Sequence, residues 1–178
     1  EEAKFQFELE GARGPAVFDK TGGRICAVSG SNALGLWEPN SPEPVRTFAS
    51  PSLPFALSFS PADSSILAAG CKDDTVRIWD VAEGKVMSVF RGHDKNVRSV
   101  AFSPDGRMLA SAGGVDKTVC VWSVAEEAEG QNPLKRLARS EGWVHSVAFS
   151  PDGTMLASVG NDGTVRIWAV QSPEGHDE

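Results

Sequence analysis

His93, Ser111 and Asp116 stand close together in the middle of this chain. A serine, a histidine and an aspartate can form a nucleophilic relay that opens esters or peptides: the imidazole takes the hydroxyl proton and the carboxylate orients the ring. No oxyanion-type glycine motif accompanies Ser111, which argues against a nucleophilic relay. Other chemistry finds little support. There is no glycine-rich phosphate loop ending in Lys-Ser/Thr and no His-Glu-x-x-His. The three histidines are scattered, so no metal site and no cofactor are expected. Cys26, Cys71 and Cys120 form no CxxC pair and sit in apolar runs, as reduced structural thiols do. The acidic pairs Asp73-Asp74 and Glu126-Glu127 read as solvated turn charges. The expectation is a protein that is not an enzyme.

The elements that must position these residues repeat. Tryptophans recur at Trp37, Trp79, Trp122 and Trp168, at intervals of 42, 43 and 46 residues. Three of them end near-identical segments, Thr75-Val-Arg-Ile-Trp79, Thr118-Val-Cys-Val-Trp122 and Thr164-Val-Arg-Ile-Trp168. Ser-Val-Ala-Phe-Ser-Pro-Asp-Gly occurs twice, at Ser99 to Gly106 and Ser146 to Gly153. Such a period marks an array of supersecondary units. Each unit divides into short runs rich in Val, Ile, Phe and Trp, bounded by Gly, Pro, Asp or Ser, which is a strand signature. In the third unit, Val97 to Ser103, Met108 to Gly113 and Thr118 to Val124 read as strands. Pro-Asp-Gly between the first two suits a tight turn: proline presets φ, aspartate bonds its own backbone and glycine accepts positive φ. Segments 39–44 and 125–133, acidic or proline-rich, read as exposed loops.

With the Gly92-His93 pair, the Ser-Pro-Asp-Gly turns and the strand-ending tryptophans, the chain resembles the WD-repeat family from about Phe5 to Val170. The resemblance implies an all-β fold, a β-propeller of four-stranded antiparallel blades, with four blades in this segment as part of a larger ring. The units run 14–49 (degenerate), 54–92, 93–139 and 140–170. Residues 1–10 supply an outer strand for a neighbouring or closing blade, and 171–178 form a polar tail too poor in apolar residues to pack. WD propellers have about seven blades within a general range of ~4–8. Completion by chain outside the segment, or self-association into an eight-bladed ring, is therefore expected. The chain opens on Glu1 rather than Met and reads as a piece of something longer.

The resemblance also assigns roles. His93, Ser111, Asp116 and Trp122 are implied to form the family's structural tetrad, slightly bent because one extra residue lies between Ser111 and Asp116 compared with the fourth unit. Ser158, Asp162 and Trp168 form a partial tetrad, with Ser140 where the histidine would fall. Asp73 and Trp79 form another, with Ala69 in place of the serine. Looser blades are expected there. Residues at the start of each innermost strand and beside the turn aspartate are implied to bind partner proteins or peptides: Asn96 and Arg98; Trp143, His145 and Asn161; and Leu53, Phe55 and Lys72. Trp143 falls outside the tryptophan period, so it either anchors a partner, as exposed aromatics do, or packs under a loop. Some family members recruit substrates to ubiquitin ligases through an arginine two residues beyond the Trp-Asp pair, but Ala82 stands there after Trp79-Asp80-Val81.

Composition sets outer limits. The chain has 178 residues, of which 40% are hydrophobic, enough for a core. Its net charge of −7, with scattered Lys and Arg, lacks the basic face that a phosphate backbone needs and argues against nucleic acid as a main partner. No apolar stretch approaches the ~18 residues that cross a bilayer, so no membrane partner is expected. The cysteines favour the cytoplasm, with the nucleus as alternative. Three functions fit: a non-catalytic scaffold for partner proteins, a reader of short modified peptides, or a regulatory domain appended to an enzyme.

Overall fold

The computed structural model describes residues 8–9, 11–124, 132–137 and 140–170. The expected strand at Phe5 to Leu9, most of loop 125–133 and the tail 171–178 lie outside the described residues. Fifteen strands occur among those described, and no helix. β1 (Ala12–Phe18), β2 (Ile25–Ser29), β3 (Ala33–Trp37) and β4 (Arg46–Ala49) form one antiparallel sheet in chain order. β5 (Pro54–Phe59), β6 (Ile66–Cys71), β7 (Thr75–Asp80) and β8 (Lys85–Arg91) form the second. β9 (Val97–Phe102), β10 (Met108–Gly113), β11 (Val119–Ser123) and β12 (Lys135–Leu137) form the third. β13 (Val144–Phe149), β14 (Met155–Gly160) and β15 (Val165–Ala169) form the fourth, with three strands among the described residues.

The turn chemistry fixes each first hairpin. Ser103 Oγ accepts from the Met108 amide at 2.9 Å and donates to Asp105 Oδ1 at 2.5 Å, while Gly106 takes φ 73°. Ser150, Asp152 and Gly153 repeat the arrangement before β14. The aspartate carboxylate and the serine hydroxyl together hold the reversal, so β9–β10 and β13–β14 enter their ladders in the same register.

The four sheets stack as consecutive blades. The first strands β1, β5, β9 and β13 are neighbours in that order, and the Val147 amide donates to Ser99 Oγ across one junction at 3.2 Å. Each core lies between two blades. Trp79, Leu67 and Phe59 of the second blade meet Cys26, Val28 and Leu34 of the first. Trp122, Leu109 and Phe102 of the third meet Ala68, Val76, Ile78 and Phe90 of the second. Leu156 and Trp168 of the fourth meet Met108, Ala110, Val119 and Val121 of the third. A middle blade is thus buried on both faces, which explains why every residue of β10 is buried rather than every second one.

The degenerate first blade departs from this pattern. Its tryptophan has no preceding blade among the described residues, yet Trp37 is buried with Ile25 and Ala27 under Leu9 and Ala12. A Cβ on Gly35 would stand 2.3 Å from the Trp37 ring, so the glycine lets the indole lie flat on its own sheet. Its N–H donates to the Pro42 carbonyl at 3.2 Å. All three cysteines are free and buried, and burial pushes the Cys26 thiol up to about 12.

Candidate functional site

In the third blade, β9, β10 and β11 bring His93, Ser111, Asp116 and Trp122 into one hydrogen-bonded chain. The Trp122 indole donates to Ser111 Oγ at 2.8 Å, Ser111 Oγ meets His93 Nε2 at 2.7 Å, and His93 Nδ1 meets Asp116 Oδ2 at 2.8 Å. Asp116 also accepts from the amides of Asp94 and Thr118 and from the Thr118 hydroxyl, each at 3.0 Å. Burial alone would lower the His93 pKa, but the Asp116 carboxylate and the Cys120 sulfur raise it to about 9. Burial likewise opposes ionisation of Asp116, yet His93 holds its carboxyl below the ordinary value. Ser111 is fully buried and its hydroxyl oxygen lies between an indole and an imidazole, so a substrate carbonyl has no approach to it in this arrangement.

The extra residue before Asp116 does not bend this chain. The turn Gly113-Gly114-Val115 absorbs it: Gly113 N donates to Thr118 O, Gly114 N donates to Asn96 O, and Lys117 takes φ 63°. Lys117 there, Asp74 in the second blade and Gly163 in the fourth all follow the turn aspartate in the left-handed region.

In the second and fourth blades, which lack the histidine, an arginine supplies the positive charge beside the turn aspartate. Arg77 is buried and grips Asp73 with two nitrogens at 2.9 and 2.6 Å, holding that carboxyl at about 2. In the fourth blade the Ser140 hydroxyl donates to Asp162 at 2.5 Å and Arg166 Nη1 stands 2.8 Å from the same oxygen; hydrogen bonds from Ser140 first, then Thr164, hold Asp162 well below the ordinary carboxylate range. The corresponding position in the third blade is Cys120. The sequence reads Val-Arg-Ile-Trp in the second and fourth units, Val-Cys-Val-Trp in the third and Leu-Gly-Leu-Trp in the first. The serine position matters separately. Ser158 accepts from Trp168 Nε1 at 3.0 Å, whereas Ala69 offers nothing and the buried Trp79 Nε1 has no partner among the described residues.

The second group of candidates occupies the start of the innermost strands. Each of β5, β9 and β13 carries an irregularity there, between Pro54 and Ala56, opposite the Ala112–Gly113 step, and between Val144 and Ser146. A bulge re-aims the side chain it displaces, and the displaced residues are Phe55, Arg98 and His145. The Arg98 guanidinium lies 4.4 Å from the Phe55 ring centroid, a cation–π contact across two blades. Asn96 stands beside it with a buried Oδ1 that has no partner among the described residues. His145 is hydrogen-bonded to Asn161, whose amide donates to the Trp143 carbonyl at 2.9 Å. Trp143 is 44% exposed and is not packed under a loop. The structure therefore gathers two clusters, Phe55–Arg98–Asn96 and Trp143–His145–Asn161, on neighbouring blades. Lys72 is exposed near them, but Leu53 packs against the core between the first two blades. In the first blade a wider irregularity between Ala12 and Ala16 exposes Arg13 at the corresponding place, a residue that the worn sequence of that unit concealed.

The family model for the WD domain, G-beta repeat, matches residues 42–80, 84–123 and 131–169, more than half of the chain. Each matched stretch takes in the outer strand of one blade and three strands of the next, so the repeat covalently laces neighbouring blades together. The U3 small nucleolar RNA-associated protein 15 homolog of Xenopus laevis is 34% identical over 74 residues, 42% of this chain and 14% of that protein. Protein TPR3 of Oryza sativa subsp. japonica is 34% identical over 85 residues, 48% of this chain and 7% of that protein. General transcriptional corepressor TUP1 of Saccharomyces cerevisiae is 36% identical over 61 residues, 33% of this chain and 8% of that protein. The matched region spans less than a fifth of the length of these relatives.

Proposed function

Starting from a chain that belongs to the WD domain, G-beta repeat family, we propose that it is a non-catalytic scaffold that holds partner proteins at the rim where its innermost strands begin. The observation that carries this reading is the triple bulge. Three consecutive blades spend a ladder irregularity on turning Phe55, Arg98 and His145 out of the pleat, at equivalent positions. Bulges are over-represented at sheet edges, at rims and next to active sites, where they re-aim a side chain. Trp143 beside them supplies a large exposed aromatic, and Trp and Arg are the residue types that dominate interface hot spots.

The names of the relatives refer to a nucleolar RNA-associated factor and a transcriptional corepressor. They support a place in a nuclear assembly, the alternative to the cytoplasm that the free cysteines favoured. The acidic net charge keeps protein, rather than the RNA of a relative's name, as the partner class.

The test is affinity capture with the chain as bait, beside the triple variant Arg98→Ala, Trp143→Ala, His145→Ala. These side chains lie outside the buried core, so the variant keeps its fold. Loss of one discrete partner is the expected outcome; an unchanged partner list overturns the rim as the binding surface.

A further inference from the structure

At the end of the sheets opposite the rim, a cavity of about 250 Å³ lies between the first two blades, lined by Arg24, Leu36, Glu38, Val45 and Arg46 on one side and by Val81 and Ala82 on the other. The register explains the lining. Cys26 pairs with Leu36 and Leu36 with Arg46, and Cys26 and Leu36 belong to the core between these two blades. Arg24, two residues before Cys26, and Glu38, two residues after Leu36, continue the same face beyond that core. The facing wall is fixed by the second blade: the Val81 amide donates to the Ser65 carbonyl at 2.8 Å, and the turn after it is closed by Gly84 N on Asp80 O at 2.8 Å and Glu83 N on Asp80 Oδ1 at 2.9 Å. Walls held in this way lower the ordering cost of binding.

We propose that this cavity binds a carboxylate carried on a short branched aliphatic group. Three observations select that chemistry. First, its arginines are uncommitted. Among the described residues Arg24, Arg77 and Arg166 are the arginines withdrawn from full exposure; Arg77 is paired with Asp73 and Arg166 with Asp162, whereas the Arg24 guanidinium has neither an ion pair nor a hydrogen bond. Asp19, the acid of its own turn, spends its carboxylate on the Thr21 hydroxyl and the Arg24 backbone amide instead. Arg46, on the same lining, is equally without a partner among the described residues, and two guanidiniums present the planar donor forks that carboxylates fit. Second, Glu38 places one negative charge in the lining, so a single bound charge neutralises the site while a dianionic phosphate overfills it. Third, Leu36, Val45, Val81 and Ala82 make the remaining surface aliphatic, and the volume falls below the ~300–1,000 Å³ of pockets for drug-sized ligands. The occupant is therefore on the scale of one amino-acid residue, either the end of a peptide chain or a free branched acid.

Titration of the 178-residue chain, followed by the methyl NMR shifts of Leu36, Val45 and Val81, tests the proposal with four probes: N-acetyl-leucine, its amide, 4-methylpentanoate and methyl phosphate. Saturable shifts with N-acetyl-leucine or 4-methylpentanoate are expected, and the tighter of the two tells a chain end from a free acid. The amide should bind about tenfold more weakly or worse than N-acetyl-leucine, because it forfeits the charged hydrogen bonds. Arg24→Gln and Arg46→Gln should each weaken the carboxylate by a similar factor, and Arg107→Gln, exposed on the third blade, should leave it unchanged. Arg46 is exposed, so its variant keeps the fold even if Arg24→Gln lowers the thermal melt. Three results overturn the proposal: no saturation with either carboxylate, an amide that binds as well as the acid, or methyl phosphate binding more tightly than both carboxylates. Carboxylate binding that survives Arg46→Gln undiminished overturns it as well.

Discussion

Replacing Ser111 by alanine separates a structural hydrogen-bond chain from a catalytic one. The substitution removes a single oxygen from a fully buried site, so it leaves no cavity of consequence. That oxygen accepts from Trp122 Nε1 at 2.8 Å and meets His93 Nε2 at 2.7 Å, and both nitrogens belong to buried side chains. Each orphaned buried group costs about 1–3 kcal/mol. Trp79 already tolerates an orphaned indole, which places its counterpart near the low end. The expected loss is about 2–4 kcal/mol, or a fall in Tm of roughly 5–15 °C for a chain of this size. The second blade supplies the reciprocal experiment. Ala69→Ser places a hydroxyl where Ser158 holds Trp168 in the fourth blade, and should raise stability by about 1 kcal/mol by giving Trp79 an acceptor. Urea unfolding of the three proteins at neutral pH, with equal m-values, reads both effects. A Ser111→Ala loss below about 0.5 kcal/mol would refute the reasoning, as this oxygen would then carry little of the blade. A hydrolase reading makes the opposite forecast: turnover of an ester or peptide lost with stability intact.

Two further outcomes follow from the same geometry. Because His93 is raised from 6.5 to about 9, its bond to Asp116 stabilises the fold fully below pH 6.5 and fades as pH rises through 9. Subtracting the pH dependence of His93→Gln from that of the parent should isolate a decline on the order of 3 kcal/mol between those values, and a flat difference contradicts it. Gly142→Ala puts a Cβ 2.6 Å from the Asp162 amide and 3.0 Å from the Asn161 carbonyl carbon, displacing the loop that presents Trp143. Affinity for a captured partner should drop at least tenfold by titration, while an unaltered Kd would show that this loop takes no part.

Most of the architecture was legible because the period, the Pro-Asp-Gly turns and the strand-ending tryptophans are local signals. The edges of β10 needed only residue order and spacing, whereas the Ser111 contacts followed from the family resemblance. What escaped was compensation. Arg77 and Arg166 replace an absent histidine from a different strand, and the match becomes visible only when β7, β11 and β15 are superposed by register. The extra residue before Asp116 was expected to bend the tetrad, but a turn with two glycines and a left-handed Lys117 takes up length more cheaply than a buried hydrogen bond stretches. Leu53 looked like a rim residue by position, yet an apolar side chain one step from a core strand turns inward. Arg13 was hidden because the first blade diverges most where its chain bulges.

Hydrogen–deuterium exchange of the chain, free and bound to its captured partner, tests the rim most directly. The account predicts new protection confined to residues 53–56, 94–98 and 141–146, where the bulged strands and their entry loops converge. Protection confined to the outer strands β4, β8 and β12, with those three segments unchanged, would contradict it.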